Sequence, residues 1–221
     1  MPEPFGDSRD VTVALITGGH AFDVPAFHRL FRTLDGIDAY PQDLENWAHG
    51  AAVRDRYDVL CFYNMHRHVP SPDKPADRPL AEALDALGRT PQGILVLHHA
   101  LLAWLDWPFW SDLVGIPDRA FTYHDAQHLA VHVEDPDHPI TAGLADWQMV
   151  DETYRMADAG PDCRVLLSVD HPRSMRSIAW IRTHGRARVF CLESGHDAQT
   201  YRDPNFRHVL RQGLLWCARR I

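Results

Sequence analysis

What most restricts the fold of this chain is a series of short, nearly unbroken apolar runs that alternate with stretches of helical period. Residues 11–17, 58–63 and 93–97 are such runs, each bounded by turn residues, and each reads as a buried strand. Between them, residues 24–34 carry apolar side chains at helical spacing (Phe27, Leu30, Phe31, Leu34). Residues 80–87 do the same and stop at Gly88, which reads as a helix C-cap. Residues 100–105 also read as helical. Strands this apolar, with helices between them, predict a parallel sheet covered on both faces.

After Gly115 the texture changes. Shorter runs at 129–133, 164–169, 177–181 and 188–192 are separated by turn residues, and some of them are expected to pair antiparallel at one edge of the sheet. The last element is an amphipathic helix through Phe206, Val209, Leu210, Leu214 and Cys217, opened by Asp203-Pro204. Residues 69–79 are rich in proline and read as a loop. A length of 221 residues suits one domain, 1–221, with residues 1–10 as a flexible lead.

Charge and cysteine usage narrow the function classes. The net charge of −8 argues against nucleic acid or an anionic membrane as partner. The lead has neither a basic start nor an apolar core, and no run approaches membrane-spanning length, so a cytoplasmic protein is expected. Cys61, Cys163, Cys191 and Cys217 show no paired spacing and read as free, mostly buried thiols.

Histidine is the unusual quantity, at 15 of 221 residues. In an open parallel sheet, ligands bind beyond the carboxyl ends of the strands. The first run ends in Gly18-Gly19-His20, the second in Asn64-Met65-His66, the third in His98-His99 and the last in Glu193-Ser194-Gly195-His196-Asp197. Most of the imidazoles are expected at the surface or as satisfied core polar groups, because a buried ring needs hydrogen-bond partners. These strand-end rings are the candidates for a site. One of His98 and His99 is expected to bond a backbone carbonyl and the other to face a pocket. Asp197 reads as a turn cap and His138 as structural. Asp151-Glu152 reads equally well as a solvated charged turn or as part of the site.

Taken in order, Gly18-Gly19-His20, Leu97-His98-His99-Ala100, residues 110–115, His124, Asp137-His138-Pro139-Ile140 with Gly143-Leu144, Asp151-Glu152-Thr153-Tyr154, Gly195-His196-Asp197 and Gly213-Leu214-Leu215-Trp216 resemble the ThuA-like (trehalose utilisation) family from about residue 11 to residue 216. The resemblance implies a flavodoxin-like, class I glutamine-amidotransferase-like α/β fold: a central, mostly parallel sheet with helices on both faces and an antiparallel edge. In amidotransferases of that fold a cysteine stands on the turn after the central strand. Here His98 stands there and the usual His-Pro-Glu pattern is missing around His196, so glutaminase activity is not expected. The chain departs from the family pattern in two places. Gly93 alone remains of the glycines before the central histidine, and Gly115 is followed by Ile116-Pro117-Asp118.

The resemblance links the chain to sugar utilisation and to a small carbohydrate ligand. Three readings follow. In the first, an enzyme acts on a sugar or keto-sugar glycoside, with His98 and His196 exchanging protons and Glu152 or Asp151 as orienting group or partner base. Gly19, His20, His99, His124, Asp151 and Tyr154 would then contact substrate, and Trp104, Trp107 and Trp110 either stack on sugar rings or fill the core. In the second, His20, His98, His124 and His196 hold a divalent metal, Zn²⁺ or Mn²⁺, with Glu152 as a carboxylate alternative. In the third, the same cleft serves a non-catalytic sugar-binding or regulatory module. The late strands also allow a homodimer through an exposed apolar edge.

Overall fold

A computed structural model describes residues 10–221; the lead expected to be flexible lies largely outside them. Nine strands form one sheet in the order β2-β1-β3-β4-β9-β8-β7-β5-β6. The strands are β1 (Val11–Gly18), β2 (Ile37–Asp43), β3 (Val59–Asn64), β4 (Gly93–Leu97), β5 (Thr122–Val133), β6 (Trp147–Arg155), β7 (Arg164–Val169), β8 (Ser177–His184) and β9 (Ala187–Leu192). The helices are α1 (Val24–Arg32), α2 (Leu44–His49), α3 (Ala51–Arg54), α4 (Arg78–Asp85), α5 (Pro108–Val114) and α6 (Pro204–Cys217).

The sheet is mixed rather than mostly parallel. β2, β1, β3, β4 and β9 run parallel, with Cys61 opposite Leu95 and Leu95 opposite Phe190. From β9 outward through β8, β7, β5 and β6 every pairing is antiparallel. What was expected as an edge is therefore the second half of the sheet. Two strands escaped the apolar criterion. β2 contains Pro41 and lies at the sheet edge, where a missing donor is tolerated. β6 carries Asp151-Glu152-Thr153 in its middle, so the solvated-turn reading of that segment fails: Asp151 and Glu152 are buried in a strand.

The parallel strands read as continuous apolar runs because both faces are covered. Val11, Val13 and Leu15 of β1 pack into the cluster under α1 and α6, whereas Ala14 and Ile16 pack into the cluster under α2, α4 and α5. The starts of α1 and α6 are capped. Asp23 accepts from the Ala26 amide at 3.0 Å and Asp203 from the Phe206 amide at 2.8 Å. Gly88 lies beyond the end of α4 and serves a different purpose from a cap. A side chain there would meet the His184 carbonyl 2.5 Å away, in the turn from β8 to β9. Trp104 and Trp110 are fully buried, which assigns them to the core rather than to sugar stacking.

Candidate active site

β1, β3, β4 and β9 are parallel, so their carboxyl ends gather on one side of the sheet. The end of β4 passes directly into a 3-10 turn, His98–Leu102, and His98 adopts φ +50°. A left-handed conformation at a buried non-glycine residue costs energy that its surroundings must hold in place. Part of that hold comes from Arg119, which is 3% exposed. Its guanidinium donates to the carbonyls of Leu101 (3.0 Å), Ala103 (2.5 Å) and Trp104 (2.6 Å), fixing the chain just after the turn.

The His98 side chain is 0% exposed. Its Nδ1 donates to the Glu193 carbonyl at 2.7 Å, which leaves the Nε2 lone pair available in the neutral ring. That atom accepts from the Tyr154 hydroxyl at 2.8 Å. Nε2 of His98 also lies 3.3 Å from Nδ1 of His196 and 3.4 Å from Oε1 of Glu152, and the last two atoms are 3.5 Å apart. These atoms come from the ends of β4 and β9 and from the middle of β6.

Glu152 reaches this point because β5 is bulged. His124 pairs with Thr153 and Gln127 with Asp151, so β5 spends one extra residue opposite Glu152, and Ala126 there has φ +52°. A bulge bends its strand and re-aims the facing side chain. Asp151, the neighbour of Glu152, points the other way. Its carboxylate accepts from the amides of Glu152 (2.9 Å), Gly195 (2.7 Å) and His196 (3.1 Å), and so pins the loop that carries His196. Gly195 has φ +125°, and a Cβ there would meet Leu97 and Phe206 at 3.3 Å.

Electrostatics follow from this packing. Burial works against charge on His98, yet Glu152, Asp151 and the Glu193 carbonyl outweigh it and raise the imidazole above its ordinary range. Burial likewise opposes the Glu152 carboxylate, but His98 and His196 beside it hold it down at about 2. The Asp151 carboxyl is pushed up by burial, against the pull of His98 and of the amides it accepts from. Glu193, also fully buried, is pushed up to about 8 by burial, although Oε1 accepts from the Tyr154 amide at 2.8 Å. Asp125, in the bulge, is raised by its hydrogen bond to Glu152.

The expected imidazoles do converge, but not all in the expected roles. His20 stacks on His99 with ring centroids 4.5 Å apart, His99 lies 5.4 Å from His98, and His98 lies 5.3 Å from His196. The expected division between His98 and His99 does not hold: both are buried and both bond a backbone carbonyl, His98 that of Glu193 and His99, through Nε2, that of Tyr63 at 2.9 Å. Burial, together with the neighbouring His98 and His20, holds the pKa of His99 at about 2. It is 2% exposed and stacks against His20, and Asp151 and Tyr154 are also buried at 2% each. Of the residues expected to touch substrate, His20 and Gly19 are exposed and His124 is half-buried.

Of the metal ligands drawn from the sequence, the structure brings together His98, His196 and the carboxylate alternative, Glu152. Among the described residues, the potential ligand atoms that cluster within 4.8 Å belong to His98, Glu152 and His196. His20 and His124 are outside that group, because one stacks on His99 and the other sits at the start of the bulge. Sequence reading missed Tyr63, Arg119, Asp125 and Glu193. Tyr63 and Glu193 had a signal, as residues that end apolar runs.

The mixed sheet, with helices on both faces and the site at the ends of its parallel strands, defines a protein whose α/β fold is similar to that of class I glutamine amidotransferases. A glutamine amidotransferase from Thermotoga maritima superimposes with a TM-score of 0.54 at 8% identity, covering 94% of this chain and 98% of that one. The chain belongs to the ThuA family, described as trehalose utilisation, whose profile matches residues 24–217. A ThuA-like protein from Parabacteroides merdae is similar over 95% of this chain and 90% of its own, with a TM-score of 0.72 and 16% identity. A protein of Salmonella typhimurium described as cytoplasmic is similar over 92% of this chain and 98% of its own, with a TM-score of 0.67 and 14% identity. No curated protein matches the chain by sequence. Among the described residues, no helix is long and apolar enough to cross a membrane.

Proposed function

We propose that this protein is a cytoplasmic enzyme of carbohydrate metabolism that moves a proton on a sugar or keto-sugar glycoside at the His98–Glu152–His196 centre. The observation that carries the reading is the meeting, within 3.5 Å of one another, of two imidazoles from the ends of the adjacent strands β4 and β9 and a carboxylate from β6. Membership of a family described as trehalose utilisation supports a carbohydrate substrate, and the similar Salmonella protein supports the compartment.

Each residue has a distinct task. The His196 side chain is 33% exposed, and its Nδ1 is taken by His98 and Glu152, so Nε2 is the nitrogen that exchanges a proton with substrate. Glu152 orients that ring and stabilises its charged form. His98 is sealed from solvent and acts through His196, held by Glu193 on one side and Tyr154 on the other. Asp151 sets the position of the loop. His20 and Gly19 line the approach on the β1 side, and His124 and Asp125 line it on the β5 side. Glutaminase chemistry is excluded from this proposal because the turn offers no thiolate.

Incubation with trehalose and its keto derivatives, followed by NMR, tests the reading. Turnover by the wild type that falls at least ~100-fold in His196→Ala supports it. Tight binding of a sugar with no turnover would instead favour a binding module.

A further inference from the structure

We infer that His98 Nε2, His196 Nδ1 and Glu152 Oε1 form a three-ligand site for Zn²⁺, open on its fourth side. The inference rests on the proposed role of these residues as the reactive centre and gives that centre its electrophile. Three features of the structure point to it.

The first is the triangle itself. Its edges are 3.3, 3.4 and 3.5 Å, long for hydrogen bonds between charged partners. A tetrahedron built on metal–ligand bonds of ~2.0–2.1 Å has edges roughly 1.6 times as long, about 3.3–3.4 Å. An octahedron on bonds of about the same length, as Mg²⁺ demands, has edges of about 2.9 Å. The triangle matches the face of the tetrahedron.

The second is the donor set. Two imidazoles and one carboxylate suit zinc, and three protein ligands leave one position for water or substrate. The third is the orientation of the ligands. His98 is fixed with Nε2 inward by the 2.7 Å bond from Nδ1 to the Glu193 carbonyl, the arrangement that orients most metal-bound histidines. Asp151 fixes the backbone of His196 through the Gly195 and His196 amides. Glu152 is aimed by the β5 bulge and touched by Asp125.

Zinc binding requires one rearrangement. The Nε2 lone pair of His98, which now accepts from Tyr154, goes to the metal. The Tyr154 hydroxyl then donates to Glu152, with which it already interacts. The open position would take a water molecule or a substrate oxygen, whose proton the metal would make more acidic.

Calorimetry on the full, tag-free chain stripped with a chelator is the test, with ZnCl₂ and then MnCl₂ as titrants. The expected result is one equivalent of Zn²⁺, bound more tightly than Mn²⁺. Affinity should fall roughly a hundredfold or more in His196→Ala and in Glu152→Gln, since even the outer partners of metal ligands are worth 10–100-fold. His132→Ala, on the far, exposed pairing with Asp146, should bind as the wild type does. Circular dichroism of each variant separates lost folding from lost ligation. Failure of the wild type to bind stoichiometric zinc overturns the inference, as does binding that survives both ligand substitutions or a preference for Mn²⁺. Sugar turnover by a protein that takes no zinc would remove the metal and leave the acid–base reading standing. Zinc held by these residues without turnover of any sugar would do the reverse.

Discussion

At the residue scale, the centre depends on groups that burial alone would not allow to be charged. Glu193 shows the cost most plainly. Its pKa is near 4.5 in an unfolded chain and about 8 in the fold. Between those values the native state holds a proton that the unfolded state has lost, so stability falls as pH rises through that window. Glu193→Gln keeps an acceptor for the Tyr154 amide and removes the titration. Urea melts should show the wild type losing stability from pH 5 to pH 8 relative to the variant; parallel curves would contradict this. Asp151 acts differently, because its oxygens satisfy amides of the His196 loop. Asp151→Ala should destabilise the fold by about 3 kcal/mol, leaving buried N–H groups without acceptors, and should lower kcat more than it raises KM. A melt within error of the wild type would show that the loop holds itself.

At the element scale, two contacts set the frame. Gly213 lets α6 lie directly on β9: a Cβ there would meet the Phe190 ring at 2.3 Å. Gly213→Ala should therefore cost about 1–3 kcal/mol by overpacking, despite the better helix propensity of alanine. A gain in denaturation midpoint would show the helix free to shift. Arg119 braces the turn behind His98, and Arg119→Met should cost about 3 kcal/mol or more by orphaning buried carbonyls. It should also lower turnover through a displaced His98, with no partner lost at the centre itself.

How far the sequence could be read also divides by element. The parallel strands other than β2, and α1, α4 and α6, were legible because burial on both faces, or on one stripe, writes itself as period. His98 and His196 were legible because they end such strands. β6 was not, because its central residues are polar and face the site and the loop after β9 rather than the core. The bulge in β5 leaves no periodic mark, so nothing in the sequence could show that Glu152, and not His20 or His124, completes the cluster. Arg119 is one arginine among many until its carbonyl partners are seen.

At the scale of the whole molecule, the site is a seam. β4 and β9 belong to the parallel half and β6 to the far antiparallel edge, yet Asp151 and Glu193 tie β6 back across the strand ends. The apolar clusters on the two faces share every strand of the parallel half, so unfolding should be a single transition. Tryptophan fluorescence and far-ultraviolet circular dichroism should give one midpoint, and separated midpoints would show that the antiparallel half opens first.

Solvent-deuterium exchange into a keto-disaccharide, followed by NMR, reaches the central claim most directly. Wild-type protein should exchange the C–H beside the carbonyl, and His196→Ala and Glu152→Gln should not. If the wild type exchanges no keto-sugar proton and converts none of these sugars, or if both variants exchange as fast as the wild type, the His98–Glu152–His196 centre does not carry the chemistry assigned to it.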